Sequence, residues 1–128
     1  MIFLLDTHTF LWFLREPGQL PGRVSDILYD PSSTLALSLV TPWEIAIKAG
    51  TGKLEADDIL DGFEMIATTG RMDILDTTAR QVIRSGLLPL HHRDPFDRLL
   101  AAQSVDLDLT ILSGDRVFDL YGVKRIWE

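Results

Sequence analysis

The sequence predicts an α/β domain built on a mainly parallel sheet. Short apolar runs such as "IFLL", "TLALSLV" and "LTILS" alternate along the chain with longer amphipathic stretches, as strands do when they are joined by crossover helices. The turns between them are brief and marked by Pro, Gly and Asp. No linker, internal repeat or low-complexity segment interrupts the 128 residues, so residues 1–128 are read as one domain.

In order, "IFLL" is a buried strand, and a helix follows from Thr7 to Arg15, stopped at "EPG". "LPGRVSDILYD" is a second amphipathic helix, ended by "DPSS", and "TLALSLV" is the second strand. "TPWEIAIKAGTGK" is a helix with Thr41 as N-cap, Pro42 at the first helical position and Gly50 near its end. "DDILDGFEMIATTG" is a further single helix, "MDILD" a strand and "TTARQVIRSGLL" a helix. "DPFDRLLAAQSVDLD" is a helix with Asp94 as cap and Pro95 next. "LTILS" is a strand, "DRVFDLYG" a short helix and "VKRIW" a closing strand.

Composition narrows the function. The 46% hydrophobic and 24% charged residues fit a globular chain and exclude disorder. The absence of cysteine removes disulfide and thiolate chemistry and suits a reducing cytoplasm, the expected compartment. The apolar N-terminus lacks a basic flank and a cleavage site, and Asp6 interrupts it, so it is not read as a signal peptide. No apolar run approaches the ~18 residues of a membrane span. The net charge of −7 argues against a passive nucleic-acid binder, unless several of the acids hold divalent cations that reverse the local sign.

Four acids suggest that exception. Strand C-termini and the helix N-termini that follow them share one edge of a parallel sheet, where ligands bind. Asp6 ends the first strand, Glu44 and Asp97 lie in first helical turns, and Asp115 follows "LTILS". Each has a structural alternative. Asp6 and Asp115 can cap the helices behind them. "TPWE" reads as a capping box in which Glu44 reaches back to Thr41, and Asp97 suits a helix dipole. Capping does not require convergence, whereas Mg²⁺ or Mn²⁺ takes several oxygen ligands at one point.

"LLDTHTFLW", "WEIAIKAGTGKL", "HHRDPFDRLLAAQ" and "YGVKRIW" together resemble a PIN-domain nuclease of the VapC toxin type, over nearly the whole chain. The resemblance implies a five-stranded parallel sheet in a three-layer α/β/α arrangement. It implies a metal-dependent ribonuclease, the toxin of a toxin–antitoxin pair, forming a homodimer whose site a small antitoxin covers. By position, the family's acidic quartet falls on Asp6, Glu44, Asp97 and Asp115. Asp94 is held as the helix cap. Where the family often has Thr two residues before its last acid, Ser113 stands here and keeps the hydroxyl.

The chemistry expected of such ligands is metal-assisted hydrolysis. Cations hold the scissile phosphate, acidify a water and stabilise the leaving oxygen, giving 5′-phosphate and 3′-hydroxyl ends. Asp6 and Asp97 are read as the principal metal ligands. Glu44 binds metal or orients the water, and Asp115 is a water-mediated or second-site ligand. Thr7 and Ser113 support them from behind. His91, His92, Arg93 and Arg98, in the densest cationic stretch, are candidates for RNA phosphates, and exposed loop polarity explains them equally well. Trp12, Trp43 and Trp127 are read as packing or interface residues rather than base-stacking platforms. The helix "TFLWFL", apolar on all faces, belongs to a core or a partner interface.

Two other readings stand beside this one. "GDRVFD" and "LLDTHT" echo the motifs of haloacid-dehalogenase-like phosphatases, although His8 replaces the second nucleophile-loop aspartate and few residues follow Asp119. The other is a catalytically silent PIN module used for protein contacts.

Overall fold

The computed structural model describes residues 1–128. Five strands, β1 (Ile2–Leu5), β2 (Thr34–Ser38), β3 (Met72–Leu75), β4 (Thr110–Leu112) and β5 (Lys124–Ile126), form one sheet in the order β3-β2-β1-β4-β5. Every pairing is parallel, as the sequence predicts. The helices are α1 (Thr7–Arg15), α2 (Gly22–Tyr29), α3 (Val40–Gly50), α4 (Asp57–Asp61), α5 (Phe63–Thr69), α6 (Ala79–Leu87) and α7 (Pro95–Asp106), with 3-10 turns at Pro17–Gln19 and Arg116–Tyr121.

Helices cover both faces, and the alternation of side chains along each strand divides the core between them. Leu5, Leu35, Leu37 and Leu112 face one layer with Phe10 of α1, Val24 and Leu28 of α2, Ile45 of α3 and Phe63 of α5. Leu4, Ala36 and Ile111 face the other, with Leu99, Leu100 and Ala101 of α7 and Phe118. This is a three-layer α/β/α domain. No helix is long and apolar enough to cross a membrane. The apolar α1 packs within the domain: Phe10 is fully buried, and Trp12, Phe13 and Leu14 lie against the first layer.

Two local expectations are corrected. The stretch 57–69 is two helices, broken at Gly62, rather than one. Gly is a poor interior helix residue. The N-terminus of α3 begins two residues earlier than the capping box requires, at Val40, and Leu39 precedes it without a side-chain cap. Thr41 is therefore inside the first turn, fully buried, with its hydroxyl unpartnered.

The strand order reverses next to β1. From β1 the chain runs outward through β2 and β3, then returns to β4 on β1's other side. Such a switch point opens a crevice at the carboxyl ends of the two central strands. Leu5 pairs with Leu112, so Asp6 and Ser113 leave the sheet side by side.

Candidate active site

Each acid reaches this crevice from its own element. Asp6 caps α1, accepting the Thr9 amide at 2.8 Å, and is buried. Burial pushes its carboxyl above the usual range, while the Ser113 hydroxyl and the Thr9 amide oppose the shift. Thr9 adds a hydrogen bond from its hydroxyl to the Leu112 carbonyl, 2.7 Å, fastening α1 to β4. Asp6 thus serves as a cap and also lies at the crevice. The two roles are compatible.

Glu44 is buried on α3. It does not reach back to Thr41. Its Oε1 accepts from the Thr7 hydroxyl at 2.6 Å, and its Oε2 accepts from Lys48 one turn on. Burial pulls the Lys48 ammonium down, but its bond to Glu44, and the charges of Glu44, Asp94 and Asp97, more than offset this and hold it above its ordinary value. Lys48 was missed from the sequence, although its i,i+4 spacing from Glu44 is a readable signal.

Asp94 caps α7, accepting the Phe96 amide at 2.8 Å and the Asp97 amide at 3.4 Å, as expected. That bond sets Asp97 at the mouth of the crevice. Its carboxyl is pushed up to about 7, chiefly by burial and then by the like charge of Asp94, with Glu44 and Asp6 adding and His92 opposing. Asp97 therefore feels three other carboxylates.

His92 is the second residue that the sequence placed differently. Its Nε2 lies 2.8 Å from Asp97 Oδ2 and 3.3 Å from Asp115 Oδ2, and its Nδ1 accepts the Asp94 amide at 3.2 Å. With Nδ1 accepting, Nε2 carries the proton that faces the two acids. Asp115 is partly exposed, accepts the Val117 amide at 3.0 Å, and has its own amide held by Ser113 Oγ at 3.0 Å. Ligating atoms of His92, Asp97 and Asp115 all lie within 4.8 Å of one another. The imidazole thus bridges two carboxylates beside Asp6 and Glu44, and the carboxylates are the groups free to face a cation. Spacing could not have revealed His92, because its partners are distant in sequence or in an adjoining turn.

Of the other cationic candidates, His91 and Arg93 are exposed, with the His91 ring 5.3 Å from that of Tyr121. Arg98 is different. It is buried, and its guanidinium donates to the carbonyls of Gly86, Leu88, Pro89 and His92. It is a clamp on the loop that presents His92, with no free face for RNA. Tyr121 reinforces the clamp, donating to the Pro89 carbonyl at 2.8 Å and accepting the His92 amide at 2.9 Å. Asp119, which the phosphatase reading needs, is held by Arg125 through two bonds of 3.0 Å.

A parallel five-stranded α/β/α sheet with acids gathered at its switch point defines a class of fold and site. Residues 3–124 match the PIN domain family, and the chain belongs to it. No curated protein sequence matches the chain. Among solved structures, the fold is similar to a chain of VapBC2 from Rickettsia felis bound to a DNA fragment from its promoter, at TM-score 0.72 and 17% identity over 100% of both chains. It is also similar to DNA-bound VapBC from Salmonella typhimurium, at TM-score 0.70 and 18% identity over 98% of this chain and 97% of that one. A third is VapBC-5 from Mycobacterium tuberculosis, a member of the VapBC family of toxin–antitoxin systems, at TM-score 0.61 and 19% identity over 99% and 98%.

Proposed function

We propose that this PIN domain is a divalent-metal-dependent endoribonuclease acting as the toxin of a toxin–antitoxin pair. The observation that carries the catalytic part is the crowding of carboxylates around Asp97, which adds to burial in pushing its carboxyl up to about 7. Such a cluster is unfavourable by itself and favourable around a cation. The donor set is carboxylate oxygen, which suits Mg²⁺ or Mn²⁺. Asp97, Asp115 and Asp6 would hold the ion, with Glu44 as a further ligand, and the His92 Nε2–H would steady the Asp97 and Asp115 carboxylates. A divalent cation bound there supplies Lewis-acid stabilisation of a phosphodiester and a water of lowered pKa.

The chain's own groups prepare that site. Thr7 fixes the orientation of Glu44, and Lys48 partly balances its charge. Ser113 orients the backbone that presents Asp115. Asp94 and His92 set the position of the Asp97 carboxyl. No Ser-His-Asp arrangement or cysteine competes as nucleophile, so attack by water is the consistent chemistry. The assignment to a toxin rests on the likeness to chains from VapBC complexes, and with it come a small antitoxin as partner and a homodimer as the assembly. The test is cleavage of single-stranded RNA with Mg²⁺ or Mn²⁺, followed by analysis of the ends. Cleavage leaving 5′-phosphates, abolished by chelator and by Asp97→Asn, is expected. An inert protein would favour the silent module, and cleavage that persists in chelator would overturn the metal reading.

A further inference from the structure

The crevice continues past the acids onto a surface of different chemistry. A cleft of about 430 Å³ opens from Asp6 and Asp115 and is lined by His8, Trp12, Gly114 and Trp127. Its walls are aromatic: the His8 and Trp12 rings are 5.8 Å apart and the Trp12 and Trp127 rings 5.9 Å apart. Gly114 makes this close approach possible. A Cβ there would lie 3.1 Å from Trp127 Cε2, so any side chain would push the indole away.

On the far side of Gly114 and Trp127 lies a second groove of about 370 Å³, which those two residues share with the first and which Arg23, Arg116 and Arg125 line, with Glu128 the one acid among them. Arg125 is fixed by Asp119 at 3.0 Å and by the Ser113 carbonyl at 3.1 Å. Arg23 donates to the Glu128 carbonyl at 3.2 Å. Arg116 is exposed and makes no side-chain hydrogen bond or ion pair. A strand crossing Gly114 would pass from carboxylates to indoles to guanidiniums.

We propose that this surface is a single-strand RNA track. An unpaired base beside the phosphate held at the acids stacks on Trp12 and Trp127, and adjacent phosphates take Arg116 and Arg23. The proposal rests on the ribonuclease reading and names how that site takes its substrate. Aromatic faces followed by cations match the alternation of base and phosphate along a single strand, and a base that stacks on protein must be unpaired. A protein of net charge −7 repels a polyanion unless cations are placed along its path. Trp12 and Trp127 pack against the first core layer, as the sequence suggests, and the track adds a use for the parts of their rings left uncovered. Trp43 lies outside the track, 54% exposed, with its ring 4.9 Å from Phe96.

The experiment is titration of an unstructured RNA oligonucleotide into the full chain carrying Asp97→Asn, with Mg²⁺ present, read by tryptophan emission and by affinity across a salt series. Quenching is expected on binding. Trp12→Leu should remove much of it and weaken affinity roughly tenfold, the scale of one lost base stack. Arg116→Ala, at an exposed and unpartnered position, should keep the fold, weaken binding and reduce the salt slope by about one ion. Trp43→Phe should leave the quenching in place. If the parent cleaves RNA, yet Trp12→Leu and Arg116→Ala bind the oligonucleotide as it does, the track is wrong and the ribonuclease reading survives. If the parent neither binds nor cleaves RNA, both fall.

Discussion

The Thr7 hydroxyl and the Glu44 carboxylate meet at 2.6 Å in the interior, joining the residue after β1 to the first turns of α3. Lys48 takes the other carboxylate oxygen, Oε2, so Thr7 is the hydroxyl that holds Oε1. Thr7→Val keeps the shape and leaves Glu44 Oε1 without its donor. A cost of about 1–3 kcal/mol is expected, seen as a lower thermal midpoint, with reduced cleavage because Glu44 loses its orientation. An unchanged melt would show that the bond holds nothing in place.

Glu44→Gln separates structure from chemistry more sharply. The amide oxygen can still accept from Thr7, but the negative charge facing Lys48 and the crevice is gone. Lys48 is partly exposed, so only a small stability change is expected, together with loss of metal-dependent cleavage. Parallel loss of both would make Glu44 a structural residue.

For Asp97 the sign of the pH effect follows from its shift. Its carboxyl titrates at about 7 in the folded chain against 3.8 as the ordinary value. Between those values the folded state holds a proton that the unfolded state has released. This contribution therefore falls as pH rises through the window. In chelator, the parent should melt higher near about pH 5 than near about pH 8, and Asp97→Asn should flatten that difference. Equal slopes in parent and variant would mean that Asp97 is not the titrating group.

Asp6→Asn keeps a good capping residue while removing one charge from the cluster. In chelator the variant should be at least as stable as the parent, yet inactive. Mg²⁺ should stabilise the parent by about 2.7 kcal/mol at a hundredfold excess over its dissociation constant, and the variant much less. Thermal melts across a Mg²⁺ titration check this. A parent indifferent to Mg²⁺, with a clearly weakened variant, would leave Asp6 as a cap alone.

Thr41 offers the opposite case. Its hydroxyl is buried with no partner, so Thr41→Val should be neutral or stabilising, by up to about 1–3 kcal/mol. A capping threonine would instead lose stability on that change, and denaturant unfolding distinguishes the two.

The strands and most helix starts were legible because their signals are local. "IFLL" needs only its own apolar character, and "DPFD" carries its cap and first turn within four residues. The acidic edge was legible for a topological reason, since any parallel sheet gathers its strand ends. What escaped depended on distant partners. "TPWE" is a good capping box by composition, but Thr7, 37 residues away, takes Glu44 instead. Arg98 looked like a surface cation until the carbonyls of residues 86–92 enclosed it. His92 drew no metal-ligand spacing, and the aromatic walls join Trp12 to Trp127 from opposite ends of the sequence.

The reversal of strand order beside β1 also fixes when the site can exist. Asp6 ends β1, whose neighbour on one side is β4, which follows α7 in the chain. A nascent chain that has folded through α6 carries Asp6 and Glu44 and lacks Asp97, Asp115 and the Ser113 contact. Partial folding during translation thus leaves the acidic edge incomplete. The four carboxylates share one edge only after α7 and β4 have joined β1, so the segments on both sides of the reversal must be in place before like charges are brought together there.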